Sequence, residues 1–180
     1  MLSAFYPKEY MDSTYEIPYE DFYKKGIRGI IFDIDNTLVP HGAPANKQAR
    51  ALFSQLRAIG FSTCLLSNNK EPRVAPFAGQ VQSPFLCKAG KPGAKGYRLA
   101  MERMGTTADT TLFVGDQLFT DIYGANRVGI HAILVKPIHP KEEIQIVVKR
   151  RLEWIVLWFY RRSLAAGRGK RKGTGKGKRQ

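Results

Sequence analysis

Asp33-Ile34-Asp35-Asn36-Thr37 places two carboxylates two residues apart, directly after an apolar run. Carboxylates held close repel, so their proton affinities separate. One can stay ionised as a nucleophile while the other carries a proton for a leaving group. The pair can equally hold a hard cation. Gly115-Asp116 follows another apolar run, with Asp121 one helical turn further on. Asp33, Asp35 and Asp116 together make an oxygen-rich set, which suits Mg2+ rather than Zn2+. Lys91, in Gly90-Lys91-Pro92-Gly93, can neutralise phosphate oxygens as a point charge. Ser67-Asn68-Asn69 supplies a hydroxyl and turn amides, neutral donors that stabilise charge in a transition state. Together these residues suit phosphoryl transfer through an aspartyl-phosphate. Singly, each has a plainer reading. The Asp-x-Asp-Asn-Thr stretch can be a turn, Gly-Asp a helix N-cap, Lys91 a solvated charge and Ser67 a loop hydroxyl. Their succession in this order favours chemistry.

Such a site needs elements that deliver these residues to one place. Residues 27–32 read as a strand, dense in Ile. Residues 46–59 have helical spacing, with Ala49, Leu52, Phe53, Leu56 and Ile59 on one face and Gly60 as the stop. Strands follow at 61–66 and 83–87, then a helix over 92–104 with Pro92 near its start and Gly105 past its end. A strand at 110–114, a short helix at 120–127 closed by Gly129, and a last strand at 131–135 complete the pattern. Residues 1–26 read as a lead-in with a short helix. Strands apolar on both faces, alternating with helices, predict a Rossmann-like three-layer α/β fold on a five-stranded parallel sheet. In such sheets ligands bind outside the carboxyl ends of the strands. Asp33, Ser67 and Asp116 all fall at strand ends.

The 180 residues suit one domain, and 43% apolar composition supports a real core. The chain carries 29 basic and 15 acidic residues, a net charge of +14. Residues 161–180 hold nine Lys/Arg and no acid, leaving 20 basic against 15 acidic on 1–160. This excludes an acidic solvating protein and points to anionic partners. Cys64 and Cys87 lie in apolar runs without a C-x-x-C or metal spacing, so free thiols are expected. The opening residues do not form a secretory signal, and no run reaches the ~18 apolar residues of a bilayer span. A cytoplasmic protein is expected, peripheral at the inner face of the cell membrane if its C-terminal segment meets lipid.

Asp33 through Thr37, Leu65-Leu66-Ser67-Asn68-Asn69, Lys91-Pro92, and Val114-Gly115-Asp116 through Asp121 resemble, in order, the four motifs of the haloacid dehalogenase (HAD) superfamily of phosphatases. The resemblance covers roughly residues 27–135. It implies Asp33 as nucleophile and Asp35 as general acid, then base; an Asp in that slot favours phosphatase over dehalogenase. It also implies Thr37 steadying the loop, Ser67 and the Asn68 amide on the phosphoryl group, and Lys91 clamping Asp33 and phosphate. Mg2+ would sit on Asp33, the Asp35 carbonyl and Asp116, with Asp121 orienting Asp116 or a metal water. Neither the 38–45 segment nor the 23 residues between Ser67 and Lys91 can hold a lid domain. An uncapped site suits a phosphate carried by something large. The lead-in (residues 5–17) and Gly26 to Val39 also resemble the YqeG-like, type IIIA branch, which includes phosphatidylglycerophosphate phosphatases.

These readings predict a phosphatase domain over 1–140, an amphipathic basic and aromatic helix over 141–162, and a disordered basic tail over 163–180. Ile144, Val148, Leu152, Ile155 and Phe159 recur at helical spacing, with Trp154, Trp158 and Tyr160 widening the face. That helix can pack on the core or lie in a membrane interface. The tail can meet anionic lipid, bind nucleic acid non-specifically, or merely solubilise. The expected function is Mg2+-dependent hydrolysis of a phosphomonoester, preferably phosphatidylglycerophosphate or a similar lipid phosphate. The alternatives are protein or nucleic-acid phosphate monoesters, or a non-catalytic RNA- or ribosome-binding module. The sequence specifies no oligomeric state.

Overall fold

Ile30, Phe32, Leu65, Leu112, Val114 and Ile133 join one apolar cluster, whereas Ile31, Cys64, Leu66, Phe113, Ala132 and Leu134 join another. That alternation marks strands covered on both faces. The computed structural model describes residues 2–139, 154–159 and 161–162. The strands are β1 (Glu9–Met11), β2 (Gly29–Phe32), β3 (Ser62–Leu66), β4 (Phe85–Leu86), β5 (Thr111–Gly115) and β6 (His131–Val135). All neighbours pair in parallel, in the order β1-β6-β5-β2-β3-β4. The sheet has six strands rather than the five expected. The extra strand, β1, came from the lead-in, where three partly exposed residues form no apolar run.

From β2 the chain steps outward to β3 and β4, then returns to β5 and β6 on the other side. The order therefore reverses between β2 and β5, and a crevice opens at their carboxyl ends. Helices α1 (Tyr19–Lys24), α2 (Lys47–Ile59) and α3 (Glu71–Val81) supply the first cluster. Helices α4 (Ala94–Met104) and α5 (Tyr123–Arg127) supply the second. Burying each Leu, Ile or Phe of these clusters contributes roughly 1.5–3 kcal/mol, enough to hold the strand ends in register.

The predicted 46–59 helix begins where Asn46 Oδ1 accepts from the Ala49 amide, and ends at Gly60 with φ 108°. Helix α3 is absent from the periodicity reading because Pro72 and Pro76 interrupt it. It forms nonetheless, since Val74, Phe77, Ala78 and Val81 bury one face. Before α5, residues Leu118–Ile122 form a single π-helical turn where a continuous helix was expected. Among the described residues both cysteines are free, Cys64 buried and Cys87 half-buried.

Residues 154–159 and 161–162 are helical, and Val156 joins the second cluster. The rest of the predicted 141–162 helix, and the 163–180 tail, lie outside the described residues. Among those described, no helix is long and apolar enough to cross a membrane.

Candidate active site

The first Asp-x-Asp loop turns sharply as it leaves β2. Leu38 N donates to Ile34 O, and Asn36 N donates to Val39 O at 2.7 Å. Asn36 sits at φ 62°, a left-handed conformation that Asn tolerates. A later stretch braces it: Ile138 N donates to Asn36 O and His139 N to Asn36 Oδ1. Asp33 thus enters the crevice at the end of β2, Ser67 at the end of β3 and Asp116 at the end of β5. Lys91 comes from the loop before α4, across a cis Lys91–Pro92 peptide.

These side chains converge. Lys91 Nζ donates to Asp33 Oδ1 at 2.6 Å and to Asp121 Oδ1 at 2.7 Å. Asp33, Asp116 and Asp121 each bring an oxygen within 4.8 Å of the others, and all three are buried. Thr37 Oγ1 donates to Asp116 Oδ1 at 3.3 Å, linking the first and last motifs. Asp121 is held from behind. The Gln117 amide donates to its Oδ2, and the Tyr97 hydroxyl donates to Thr120 O and Asp121 O. Gly115 is required here, because a Cβ would lie 2.5 Å from Asp121 Oδ2.

The electrostatics are one-sided, with three buried carboxylates facing one ammonium. Burial pushes Asp33 up to about 7; Lys91 pulls it back and Asp121 pushes it further. Burial, then Asp33 and Asp121, hold Asp116 well above the ordinary carboxylate range, against Lys91 and the Thr37 hydrogen bond. Burial alone would lower Lys91, but Asp121 and Asp33 more than offset it and hold the amine charged. An all-oxygen cluster with excess negative charge fits a hard divalent cation, which would relieve the crowding.

Asp35 is placed differently from its partners. Its carboxylate accepts from the Gly42 amide at 2.8 Å, Asn69 Nδ2 at 2.6 Å and Arg73 Nη2 at 2.8 Å. It therefore stands at the rim beside α3 rather than inside the carboxylate cluster. Asn68 turns its side chain to the Lys91 backbone, donating to the carbonyl and accepting from the amide. Ser67 is buried, and its Oγ accepts from the Asn69 amide. Sequence reasoning missed Arg73 and missed Asn69 as a partner of Asp35. Arg73 lies on the unread helix, and the only signal was an Arg just past a strand-end Ser-Asn-Asn. No lid domain interrupts the described chain after the first loop or between β3 and α4.

A family model described as HAD-hydrolase-like matches residues 88–144. A Bacillus subtilis protein named probable phosphatase YqeG is 35% identical over 159 residues, covering 87% of this chain and 92% of that one. Phosphatidylglycerophosphate phosphatase 1, chloroplastic/mitochondrial, of Arabidopsis thaliana is 28% identical over 152 residues, covering 78% of this chain but only 44% of that protein. Among solved structures, the cobalt-bound deoxy-D-mannose-octulosonate 8-phosphate phosphatase of Haemophilus influenzae superposes with a TM-score of 0.51. Its 14% identity, over 62% of this chain and 69% of that one, speaks to the fold alone.

Proposed function

This chain belongs to the YqeG-type phosphatases of the HAD superfamily, and on that premise we propose that it hydrolyses a lipid-borne phosphate monoester through an aspartyl-phosphate on Asp33. The observation that carries the reading is the Lys91 ammonium bridging Asp33 and Asp121, with Asp116 in the same cluster. Asp33 attacks phosphorus and the ester oxygen leaves with a proton from Asp35. Asp35 then takes a proton from water, which attacks the phosphoryl group, releases inorganic phosphate and regenerates the Asp33 carboxylate. Lys91, the Ser67 hydroxyl and the amide of Asn68 hold the phosphoryl oxygens through both steps. Asp33, the Asp35 carbonyl and Asp116 would hold Mg2+, with Asp121 supporting Lys91 and orienting Asp116 or a metal water. The bound ion would offset the carboxylate charge and polarise the phosphoryl group.

Two facts support a lipid substrate: the uncapped crevice, and the plant relative named for phosphatidylglycerophosphate. The test is phosphate release from phosphatidylglycerophosphate beside nucleotide, sugar and peptide phosphates, with Mg2+ and with chelator. Release is expected to need Mg2+ and to favour the lipid. Asp33→Asn is expected to lower it by about a thousandfold or more. Preference for a nucleotide or phosphopeptide would overturn the lipid assignment, and wild-type turnover by Asp33→Asn the mechanism.

A further inference from the structure

We propose that the exposed aromatic face of the helical residues 154–159 seats the open active site on an anionic bilayer. The cavity beneath that helix then admits the apolar part of the substrate. The segment is two-faced. Val156 is buried in the second cluster and Leu157 packs against it, fixing the helix to the body. Trp154 at 68%, Ile155 at 46%, Trp158 at 44% and Phe159 at 42% stay exposed on the outside. Four of the seven exposed large hydrophobics among the described residues lie on this one segment. A fifth, Tyr10, lines the cavity beneath it.

That cavity has a volume of about 220 Å3 and is walled by Tyr10, Leu118, Leu134, Trp154 and Leu157, with Asp116 also in its wall. It therefore runs from the carboxylate cluster toward the exposed aromatics. Charge selects the partner. From residue 154 to the end the sequence has nine Lys/Arg and no Asp or Glu. Arg161 and Arg162 are exposed, and the Arg162 guanidinium lies 5.2 Å from the Trp158 ring centroid. Trp rings edged by cations match the headgroup region of an anionic bilayer. The identity of what enters the cavity rests on the lipid-phosphate reading above; the docking itself does not.

Trp154 and Trp158 are the only tryptophans of the chain, so intrinsic emission reports this face alone. The full chain is mixed with phosphatidylcholine vesicles, with and without phosphatidylglycerol. A blue shift, and quenching by shallow brominated lipid, are expected with the anionic vesicles. Trp158→Ala with Phe159→Ala, its thermal transition intact, is expected to bind them about tenfold or more weakly. No shift, a shift that needs no vesicles and tracks self-association, or unweakened binding by the double variant would each overturn the proposal. The quenching arm needs no substitution, so it decides even where the double variant does not fold. Docking by a wild type that releases phosphate from no ester leaves the docking standing and removes the phosphatase reading, and with it the occupant of the cavity. Turnover of soluble esters without any vesicle response does the reverse.

Discussion

Arg73 is positioned to decide where Asp35 points, since its Nη2 and the Asn69 amide group account for two of the three donors on that carboxylate. In the proposed mechanism Asp35 delivers a proton to the leaving group, and to do so it would exchange one of these partners for substrate. Arg73→Ala is therefore expected to lower kcat by about tenfold to a hundredfold, with a smaller change in KM. The split between kcat and KM is the readout, because a purely structural loss would lower the amount of folded protein instead. Arg73→Lys should restore activity only in part, because an ammonium lacks the planar fork. An unchanged kcat in a folded Arg73→Ala protein would remove Arg73 from the proposed mechanism. The contrast with Asp33, Ser67, Lys91 and Asp116 is instructive. Those residues were legible because each directly follows or precedes a recognisable element. Arg73 and Asn69 act on a residue 38 and 34 positions away, a proximity made by the pairing of β2 with β3 and by a helix that two prolines conceal.

The π-helical turn at Leu118–Ile122 shows how an element, rather than a residue, sets the site. The Gln117 carbonyl accepts from both Asp121 and Ile122, and this widened turn aims Asp121 at Lys91. The Tyr97 hydroxyl, on α4, donates to the backbone of the same turn. Tyr97→Phe is expected to cost about 1–2 kcal/mol, read as a lower thermal midpoint, and to weaken Mg2+ binding by loosening Asp121. A lower midpoint with unchanged Mg2+ binding would show that the turn holds its shape without Tyr97. Sequence periodicity found α2, α4 and β2, β3, β5 and β6, whose apolar positions are regular. It missed α3, β1 and the π turn. A Pro-interrupted helix, a three-residue strand and a one-residue insertion leave no regular pattern to read.

At the scale of the whole molecule, the raised affinities of Asp33 and Asp116 for protons couple metal, pH and stability. Asp33 lies at about 7 and Asp116 well above its ordinary value, against about 4 for an unfolded Asp. A raised carboxylate favours the fold most at pH below its unfolded value, and that contribution is lost as pH rises through the folded value. The metal-free protein should therefore lose stability from this cluster between about pH 4 and 7. Mg2+ held there, as proposed, would compete with the same protons, so the rise in Tm on adding Mg2+ should grow from about pH 5.5 to about pH 8 by linkage. Scanning fluorimetry with Mg2+ against chelator measures it, and a pH-independent rise would place the metal elsewhere. The sheet has a consequence of its own. β1 is only three residues long, yet it occupies all of Ile133 to Val135 on β6, and the opposite edge strand, β4, has only two residues. Chain shortened past Met11 would bare the backbone of β6, an apolar, sticky margin ready to zip onto a neighbour. Such a protein should clump on standing, visible as rising light scatter, while the intact one stays clear; the unassuming first dozen residues would then be its guard against aggregation.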